Sequence, residues 1–381
     1  MKKEIYYWGP FIDKVATVTA ILNSAQSINE YSKKFSAKII NAAGEWDEFI
    51  KEDRINNLNF VNFNFNFYKN LPRFSYIKSR TSYLIIFLKC FFPLRNLLNK
   101  NKPEFLIIHL IVSLPLILFL IFRFETKLCL RISGKPKFNI FRLLLWKMSA
   151  KKIYKVFSPT QETKDILVEK RIFDESKIFV LKDPILKIKK IMEKKKEEKL
   201  DKKFIKNNLI LVGRLTKQKN FKLFIEAFEE IQKEFPDLRA NILGEGELKN
   251  ELIELTKRKK LLKKIIFLNY KKNVFKYILN SKIFILPSLW EDPGFVLIEA
   301  AACNVIIISS DCESGPKEFL NHGEAGYLFK SGNKDSLVEV IKKVLKNNID
   351  THKIKKIAAK KQAMHYSVFR HFDTLESTLN D

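Results

Sequence analysis

Residues 284–302, FILPSLWEDPGFVLIEAAA, join an apolar strand, a polar turn and the start of a helix. The stretch contains two glutamates eight positions apart, Glu291 in the turn and Glu299 on the helix that begins near Gly294. Carboxylates accept hydrogen bonds from sugar hydroxyls, and the free N–H groups and positive dipole end of a helix start bind anions. The stretch therefore predicts a site for a sugar attached to a phosphate.

The same residues also fit an ordinary helix start, with Asp292 as the N-cap and Pro293 at the first helical position. In that interpretation Glu299 faces solvent, and the Asp292 carboxylate competes with a phosphate for the free N–H groups. The upstream loop that carries Arg214 and Lys219 places two cations after another strand, which favours the binding site.

Apolar strands alternate with amphipathic helices from residue 209 to residue 310. This alternation is typical of a parallel sheet covered on both faces, in which ligands bind at the carboxyl ends of the strands. Arg214, Gly244 and Glu291 each lie just beyond a predicted strand. The predicted strands are 209–213, 238–244, 265–270, 283–288 and 305–310, and the predicted helices are 221–235, 248–261 and 274–281.

The first half of the chain predicts a second doubly wound domain with less regular strands. Residues 105–122 are long and apolar enough for a membrane span, but His109 and Pro115 interrupt them. We therefore predict a strand at 105–108, a turn, and a buried helix from Leu114 onward. The other strand candidates are 4–8, 37–43, 127–133, 153–158 and 177–181.

Two further segments have a biased composition. Residues 59–67, NFVNFNFNF, alternate Phe and Asn, which predicts a strand with one buried face, with base stacking as the alternative. Residues 187–206 are rich in lysine and lack glycine and proline, which predicts a solvated helix or connector, with a lipid-binding patch as the alternative.

Length, charge and cysteine content limit the class of protein. A chain of 381 residues suits two domains with a cleft between them. The formal net charge of +28 predicts anionic partners: phosphate-bearing substrates, an acidic membrane surface or nucleic acid. The lysines are spread along the chain rather than gathered in one patch with interleaved aromatic residues, so we expect no nucleic-acid partner. The four cysteines form no C-x-x-C pair, and no adequate apolar run follows the first basic residues, which predicts a cytoplasmic setting without a secretory signal.

Residues 209–228, LILVGRLTKQKNFKLFIEAF, and 242–248, ILGEGEL, together with the glutamate stretch, resemble the retaining glycosyltransferases of the GT-B fold, family four, or glycosyl transferases group 1. The resemblance covers most of the second half and only scattered pieces of the first. It implies an α/β protein of GT-B type, with two Rossmann-like doubly wound domains and a cleft between them. The implied domains are 1–183 for acceptor binding, 184–362 for nucleotide-sugar binding, and a C-terminal helix within 363–381 that crosses back to the first domain.

The resemblance also implies roles for residues of the second half. Glu291 would contact the donor sugar and Glu299 the nucleotide ribose, while Arg214 and Lys219 would hold the diphosphate without a metal ion. Either cation could instead lie on the surface of so basic a chain. The residues implied to bind the rest of the donor are Gly244, Glu245, Gly294, Phe295, Val296 and Leu297, with Leu268 and Tyr270 beside the base.

In the first half, His109 matches the position at which many relatives place a histidine near the reacting centre. A histidine at a strand end is also often a structural hydrogen-bonder, and both interpretations stay open. Gly9 and Pro10 follow the first strand, where the family has a glycine-rich loop near the acceptor. Arg131 ends a later strand and is implied to bind an anionic acceptor.

The resemblance thus implies a retaining, metal-independent glycosyltransferase without a cofactor, acting on a UDP- or GDP-linked sugar. Residues 309–329 are most similar to members that build bacterial surface polysaccharides, so we expect a lipid-linked or polysaccharide acceptor. The basic and apolar residues 83–98 predict peripheral docking on the anionic inner face of the plasma membrane. The alternatives are a nucleotide-sugar epimerase on the same fold and a basic nucleic-acid-binding protein.

Overall fold

The computed structural model describes residues 2–12, 16–51, 58–72, 76–134, 136, 138–196, 200–206, 208–291, 293–313, 315–347 and 349–381. The chain divides into two compact units. The first unit comprises Met1–Pro184 and Val368–Asp381, and the second comprises Ile185–Ser367. The assignment of acceptor binding to one domain and of nucleotide-sugar binding to the other stays a prediction.

The described residues of the first unit form a seven-stranded parallel sheet in the order β3-β2-β1-β4-β5-β6-β7. Its strands are β1 Lys3–Trp8, β2 Phe35–Asn41, β3 Asn59–Asn62, β4 Phe105–Ile108, β5 Lys127–Arg131, β6 Ile153–Ser158 and β7 Ile178–Val180. Its helices are α1 Ala16–Tyr31, α2 Asp47–Lys51, α3 Tyr76–Asn101, α4 Ser113–Ile121, α5 Ile140–Ser149 and α6 Gln161–Glu169, together with the C-terminal helix Val368–Asn380.

Strand β1 shows why this sheet is covered on both faces. Because side chains alternate along a strand, Tyr6 and Trp8 face one core and Ile5 and Tyr7 face the other, and all four are fully buried. Residues of α3, α4 and α5 pack into the first core, whereas residues of α1 and the C-terminal helix pack into the second. The C-terminal helix therefore completes the layer on one face of the first sheet.

The described residues of the second unit form a six-stranded parallel sheet in the order β10-β9-β8-β11-β12-β13. Its strands are β8 Leu209–Val212, β9 Ala240–Leu243, β10 Ile265–Leu268, β11 Ile283–Leu286, β12 Ile306–Ser310 and β13 Tyr327–Phe329. Its helices are α7 Ile188–Lys195, α8 Phe221–Glu234, α9 Lys249–Arg258, α10 Phe275–Leu279, α11 Phe295–Ala302, α12 Pro316–Phe319, α13 Lys334–Lys346 and α14 Ile349–Met364, and the C-terminal helix of the chain is α15.

In each sheet the strands are first added on one side of the initial strand and then on the other, and this change defines a switch point. The first strand of each unit, β1 or β8, has neighbours that continue outward in opposite directions, so the change lies between β1 and β4 and between β8 and β11. In open α/β sheets the connections on the two sides of such a point lie on opposite faces, which leaves a crevice at the carboxyl ends of the strands. The predicted α/β fold with two doubly wound domains is confirmed.

Several local predictions are settled by the structure. Residues 105–122 form a strand, a turn and the helix α4, as predicted. In 59–67 the strand ends at Asn62, because Asn64 has a positive φ of 59°, but the phenylalanines still pack on the core as expected from the alternation. Residues 187–206 are not simply solvated, since Ile191 of α7 and Phe204, which follows that helix, are buried in the second unit.

The long helix α3 has a partly exposed apolar surface. By length and composition its portion Arg80–Asn101 could cross a membrane, and it is the one such helix in the described ranges. In the structure 28% of its most apolar window is buried. Leu84, Leu88 and Phe92 are exposed by 57%, 64% and 62%. This surface is considered below with the predicted membrane contact.

Candidate functional site

The second unit brings Lys219 and Glu291 together at the switch point of its sheet. Lys219 lies in the loop after β8, and Glu291 lies in the loop after β11, the strand next to β8. The Lys219 Nζ forms an ion pair with Oε1 of Glu291, and the side chains are only 13% and 5% exposed. The same carboxylate oxygen accepts a hydrogen bond of 2.6 Å from the Ser288 hydroxyl. Sequence reasoning identified both charged residues but missed Ser288.

The two loops are joined by further hydrogen bonds. The backbone N–H of Leu289 donates to the carbonyl of Gln218 at 2.8 Å, and the Gln218 side-chain amide donates to the carbonyl of Trp290 at 2.9 Å. Ser310, at the end of β12, donates to the carbonyl of Ser288 at 2.6 Å. The ion pair is therefore held between two loops that hydrogen bonds join to each other.

The glycines after β8 and β9 allow a close approach of their loops. A Cβ on Gly244 would lie 1.8 Å from the carbonyl oxygen of Gly213, and a Cβ on Gly246 would lie 2.4 Å from that of Leu215. Leu215 donates to the carbonyl of Glu245 at 2.8 Å, so the loops run side by side. The predicted glycine turn is thus required by backbone packing, while its contact with a nucleotide stays a prediction.

The helix α11 begins at the carboxyl edge of the sheet, and its N-cap residue supplies no side-chain cap. Its N-cap is Gly294, with φ of 89°, and the first N–H groups, those of Phe295 and Val296, precede the first helical hydrogen bond, from Leu297 to the carbonyl of Gly294 at 2.9 Å. The alternative interpretation required Pro293 to be the first helical residue, but the helix begins two residues later, at Phe295. That alternative is wrong in this detail, and Asp292, its proposed N-cap, lies outside the described residues.

Glu299 lies one turn further along α11 and is partly buried. Burial raises the pKa of this carboxyl to about 7, and the charge of Lys194 opposes the rise. Within the described part of the chain, no hydrogen-bond donor or ion-pair partner contacts the carboxylate. Glu299 therefore does not simply face solvent, and it retains its full capacity to accept hydrogen bonds.

The remaining residues implied to bind the donor differ in their surroundings. Arg214 is exposed, and none of the described residues forms an ion pair with its side chain. Glu245 is also exposed and pairs with Lys249 at 3.1 Å. Leu297 and Leu268 are buried in the core, whereas Tyr270 is 71% exposed. The side chains of Arg214 and Tyr270 are therefore accessible and those of the two leucines are not, and a contact of any of them with the donor stays a prediction.

In the first unit, the switch point carries His109 rather than a charged pair. His109 follows β4 and stacks on Tyr7 of β1, with ring centroids 5.8 Å apart. Its Nε2 is buried and has no partner in the described part of the chain. Burial, helped by the charge of Arg131, lowers the pKa of His109 well below 6.5, so the ring is neutral at physiological pH.

A buried chain of hydrogen bonds, which sequence reasoning missed, supports the Tyr7 ring. The Tyr7 hydroxyl lies 2.9 Å from the Ser24 hydroxyl, which lies 2.7 Å from Nε2 of His371 in α15. The His371 Nδ1–H donates to the carbonyl of Lys182 at 2.7 Å, so Nε2 is the acceptor and the order runs from Tyr7 to Ser24 to His371. Burial lowers the pKa of His371 to about 4, which matches this neutral tautomer.

The predicted acceptor-side residues lie close to this network. Gly9 and Pro10 are buried after β1, and a Cβ on Gly9 would lie 2.4 Å from Cδ1 of Ile21. Arg131 is 2% exposed and is committed to the protein: it pairs with Asp183 at 2.7 Å and donates to the carbonyls of Ile132 and Phe157. An acceptor contact by Arg131 stays a prediction, but its guanidinium already has three partners.

The described ranges hold no group of three or more His, Cys, Asp or Glu side chains that could bind a metal ion. All four cysteines are buried and free. Cys312 lies near the ion pair, and burial raises the pKa of its thiol to about 11. The predicted independence from metals and cofactors stays a prediction.

Residues 191–361, nearly the whole second unit, match the sequence family described as glycosyl transferases group 1. The match covers this segment and does not extend to the first unit. The matched segment, called the group 1 domain below, contains Arg214, Lys219, Gly244, Glu291 and Glu299, the residues that carry the resemblance. The switch-point ion pair is thus part of the matched segment.

Two curated relatives match this chain over part of their length. An uncharacterized glycosyltransferase of Methanocaldococcus jannaschii is 30% identical over 253 residues, which are 61% of this chain and 62% of the relative. The N-acetylgalactosamine-N,N'-diacetylbacillosaminyl-diphospho-undecaprenol 4-alpha-N-acetylgalactosaminyltransferase of Campylobacter jejuni is 36% identical over 145 residues, 38% of this chain and 39% of the relative. The chain thus spans less than two thirds of the length of either relative.

Solved structures confirm the GT-B fold. The structure of Anabaena HepE in complex with UDP has a TM-score of 0.72 and covers 100% of both chains at 13% sequence identity. At so low an identity the likeness concerns the fold. It extends to the first unit, which the group 1 match does not reach.

Proposed function

We propose that this protein is a retaining glycosyltransferase of family four that transfers a sugar from a nucleoside diphosphate to a lipid-linked or polysaccharide acceptor. The observation that carries the proposal is the Lys219–Glu291 ion pair at the switch point of the group 1 domain. A nucleotide sugar has a polar sugar bonded directly to a phosphate. A site for that junction needs a group that accepts hydrogen bonds from sugar hydroxyls, next to a cation that binds the phosphate. Glu291 supplies the first and Lys219 the second.

In this proposal the group 1 domain binds the donor. Glu291 accepts hydrogen bonds from sugar hydroxyls, and the start of α11 binds phosphate oxygens through its free N–H groups. Glu299 accepts hydrogen bonds from the ribose. The exposed Arg214 is able to close on the diphosphate without first breaking another ion pair. UDP is the first nucleotide to test, because HepE was solved with UDP.

The bond that breaks joins the anomeric carbon to the terminal phosphate oxygen, and its electron pair leaves with the nucleoside diphosphate. The acceptor hydroxyl forms the new bond to the same carbon, and its proton passes to a phosphate oxygen of the departing nucleoside diphosphate. Negative charge grows on the departing phosphate, so the cations Arg214 and Lys219 stabilise the transition state more than the bound donor. In our proposal this charge is supplied by the protein, and the reaction needs no divalent metal.

The acceptor proposal rests on relatives and on the surface of the first unit. The Campylobacter jejuni relative is named for a diphospho-undecaprenol substrate, so we propose a lipid-linked acceptor in surface polysaccharide synthesis. Ile140, Phe141 and Leu144 of α5 are exposed by 86%, 65% and 57%, and α5 packs on α4, which packs on α3. The exposed apolar residues of α3 and α5, with the net charge of +28, fit an anionic bilayer.

The function is tested by incubating the chain with a panel of labelled nucleotide sugars, beginning with UDP-linked ones, with and without diphospho-undecaprenol glycans. We expect slow donor hydrolysis alone, faster transfer with acceptor, a product that keeps the anomeric configuration, and activity in excess chelator. An epimer formed from donor alone would establish the epimerase instead. No turnover of any donor would contradict the proposal. Loss of activity with chelator and rescue by Mg²⁺ or Mn²⁺ would contradict its metal independence.

The membrane contact is tested with vesicles. The chain is expected to bind vesicles with anionic lipid better than neutral vesicles at low salt. The double variant Leu88→Gln with Phe141→Gln should bind both types of vesicle more weakly. Tyr270→Gln, an exposed apolar change in the second unit, is the matched control. Equal binding to both vesicle types, or no effect of the double change, would count against docking.

A further inference from the structure

The first unit has a cavity of about 400 Å³ that differs in chemistry from the rest of this basic chain. It lies beyond the carboxyl ends of β2 and β3, at the same edge of the sheet as Gly9 and His109. Its polar lining is mostly amide, from Asn41, Asn62, Asn64 and Asn66, and it also contains the opposite charges of Asp47 and Lys51, with Ile50 and Phe65 completing it. The formal charge of the lining is therefore zero, in a chain of net charge +28.

Asn41 fixes two of these groups. It is 5% exposed, and its amide donates to Oδ1 of Asp47 at 2.7 Å and to Oδ1 of Asn62 at 2.9 Å. Its own Oδ1 accepts from the backbone N–H of Trp46. Because Asn41 uses the oxygens of its neighbours, the amide nitrogen of Asn62 and the second oxygen of Asp47 have no hydrogen-bond partner among the described residues.

The backbone that carries Asn64 and Asn66 is held in place from behind. Phe65 packs against the core with its phenylalanine neighbours, and the N–H of Tyr68 donates to the carbonyl of Ala43 at 2.9 Å. Gly44 has φ of 90°, and a Cβ there would lie 3.0 Å from the carbonyl oxygen of Phe65. The two loops are therefore packed against each other.

Asn64 and Asn66 themselves are exposed and have no side-chain partner in the ranges that the structure describes. An amide offers two donors and one acceptor, which matches a sugar hydroxyl that both donates and accepts. A carboxylate oxygen adds a strong acceptor. Free amides and a carboxylate oxygen around one cavity are groups that bind the hydroxyls of a neutral saccharide.

We propose that this cavity is a binding subsite for a neutral saccharide, namely the hexose or N-acetylhexosamine residues of the acceptor. The assignment as acceptor rests on the proposed glycosyltransferase function. The binding of saccharide does not, because it follows from the amide lining alone. The subsite lies two strands away from β4, which carries His109, and it recognises a part of the glycan that does not react.

The test compares Asn64→Gly with Asn66→Ala, as a double variant, against the matched control Asn304→Gly with Asn250→Ala in the second unit. Glycine suits Asn64 and Asn304 because both have positive φ, of 59° and 58°. All four asparagines are exposed, so both double variants should melt like the wild type. Saturation-transfer NMR on the full chain with neutral hexose and N-acetylhexosamine oligosaccharides measures binding, and labelled donor measures hydrolysis.

We expect at least one neutral oligosaccharide to bind the wild type and the control, and to bind the Asn64/Asn66 variant about tenfold more weakly. Donor hydrolysis should be equal in all three proteins. Unchanged saccharide affinity in the variant, or no saccharide bound by the wild type, would overturn the subsite even if transfer occurs. Weakened saccharide binding without any donor turnover would retain the subsite and overturn the glycosyltransferase assignment.

Discussion

At the switch point of the second sheet a lysine and a glutamate form a buried ion pair, whereas at the switch point of the first sheet a neutral histidine stacks on a tyrosine. The strand order around the two points is the same. A buried ion pair is costly to desolvate, so packing alone does not explain its presence. The neutral network instead satisfies its hydroxyls and His371 within the protein. One strand order thus carries an ion pair at the switch point of one sheet and a neutral stacked ring pair at that of the other.

The strongest way to break this comparison is to remove the cations of the second switch point. Arg214→Ala and Lys219→Ala should each slow transfer by about a hundred- to a thousandfold, or about 2.7–4 kcal/mol, because both act on charge that develops on the leaving phosphate. Steady-state transfer or donor hydrolysis measures the effect. Lys217→Ala is the matched control, since Lys217 is an exposed lysine of the same loop.

The two alanine variants should differ in stability. Lys219→Ala leaves the buried Glu291 unpaired, which should lower the melting temperature. Arg214→Ala should leave the melting temperature unchanged, because Arg214 is exposed. Adding Glu291→Gln to Lys219→Ala should restore part of the lost stability without restoring turnover. If both single variants stay within about threefold of the wild-type rate, the phosphate site lies elsewhere.

The two glutamates allow a finer test of the same site. Glu291→Gln should mainly lower turnover and Glu299→Gln should mainly weaken nucleotide binding, each by about 1.5–3 kcal/mol, since an amide accepts weaker hydrogen bonds than a carboxylate. Donor affinity by calorimetry and the transfer rate separate the two effects. Glu251→Gln is the control, as this exposed glutamate of α9 has no proposed contact with the donor. Unchanged affinity and rate in both folded variants would remove the donor-site assignment.

The fold was largely predictable because its signal is local. Apolar strands alternate with amphipathic helices, and β8 to β12 lie where that pattern predicts them. Arg214, Lys219 and Glu291 were found for the same reason, since each follows a strand. Their pairing was not predicted, because it depends on which strands are neighbours: Lys219 and Glu291 are 72 positions apart in sequence.

The network of the first unit was not predictable from local pattern. Ser24 and His371 are 347 positions apart, and the bond exists only because α15 packs beside α1. The strand at 59–67 was predicted too long because alternation indicates the buried face but does not reveal the positive φ of Asn64. The partner-free Nε2 of His109 likewise depends on burial, which a single strand-end histidine does not show.

His371 tests the neutral side of the comparison. His371→Ala removes the hydrogen bond to the Lys182 carbonyl and the one from the Ser24 hydroxyl, which should cost about 0.5–1.5 kcal/mol for each bond lost. His322→Asn is the control, because His322 is exposed and its positive φ of 52° suits asparagine. Chemical unfolding measures the difference. A loss no larger than that of the control would show that the network contributes nothing to stability.

The pKa of His371 gives this variant a second signature. The folded-state pKa of about 4 lies below the ordinary value of 6.5, so the unfolded chain binds the proton first as the pH falls. The stabilisation is therefore complete above about pH 6.5 and is lost toward pH 4. The variant should lose less stability than the wild type across that window. His109, which is also neutral and buried, should supply the part of the pH dependence that remains.

The smallest expected effect concerns the pH dependence of donor affinity. Burial raises the pKa of Glu299 to about 7, so the carboxyl is about half ionised at neutral pH before the donor binds. Hydrogen bonds from ribose hydroxyls favour the ionised form, so binding should release a proton below that pH. Donor affinity should therefore rise about tenfold from pH 6 to pH 8 and level off above it. Calorimetry with an intact nucleotide sugar measures this, since a diphosphate esterified at both ends does not titrate in that range. Glu299→Gln should abolish the slope, whereas Glu45→Gln should not, although burial also raises the pKa of Glu45 to about 7 and that carboxyl lies in the first unit. A wild-type affinity that is flat over this range, or an equal slope in the Glu299 variant, would mean that the carboxyl does not contact the donor, and the uncharged and charged switch points would then differ only in the ion pair.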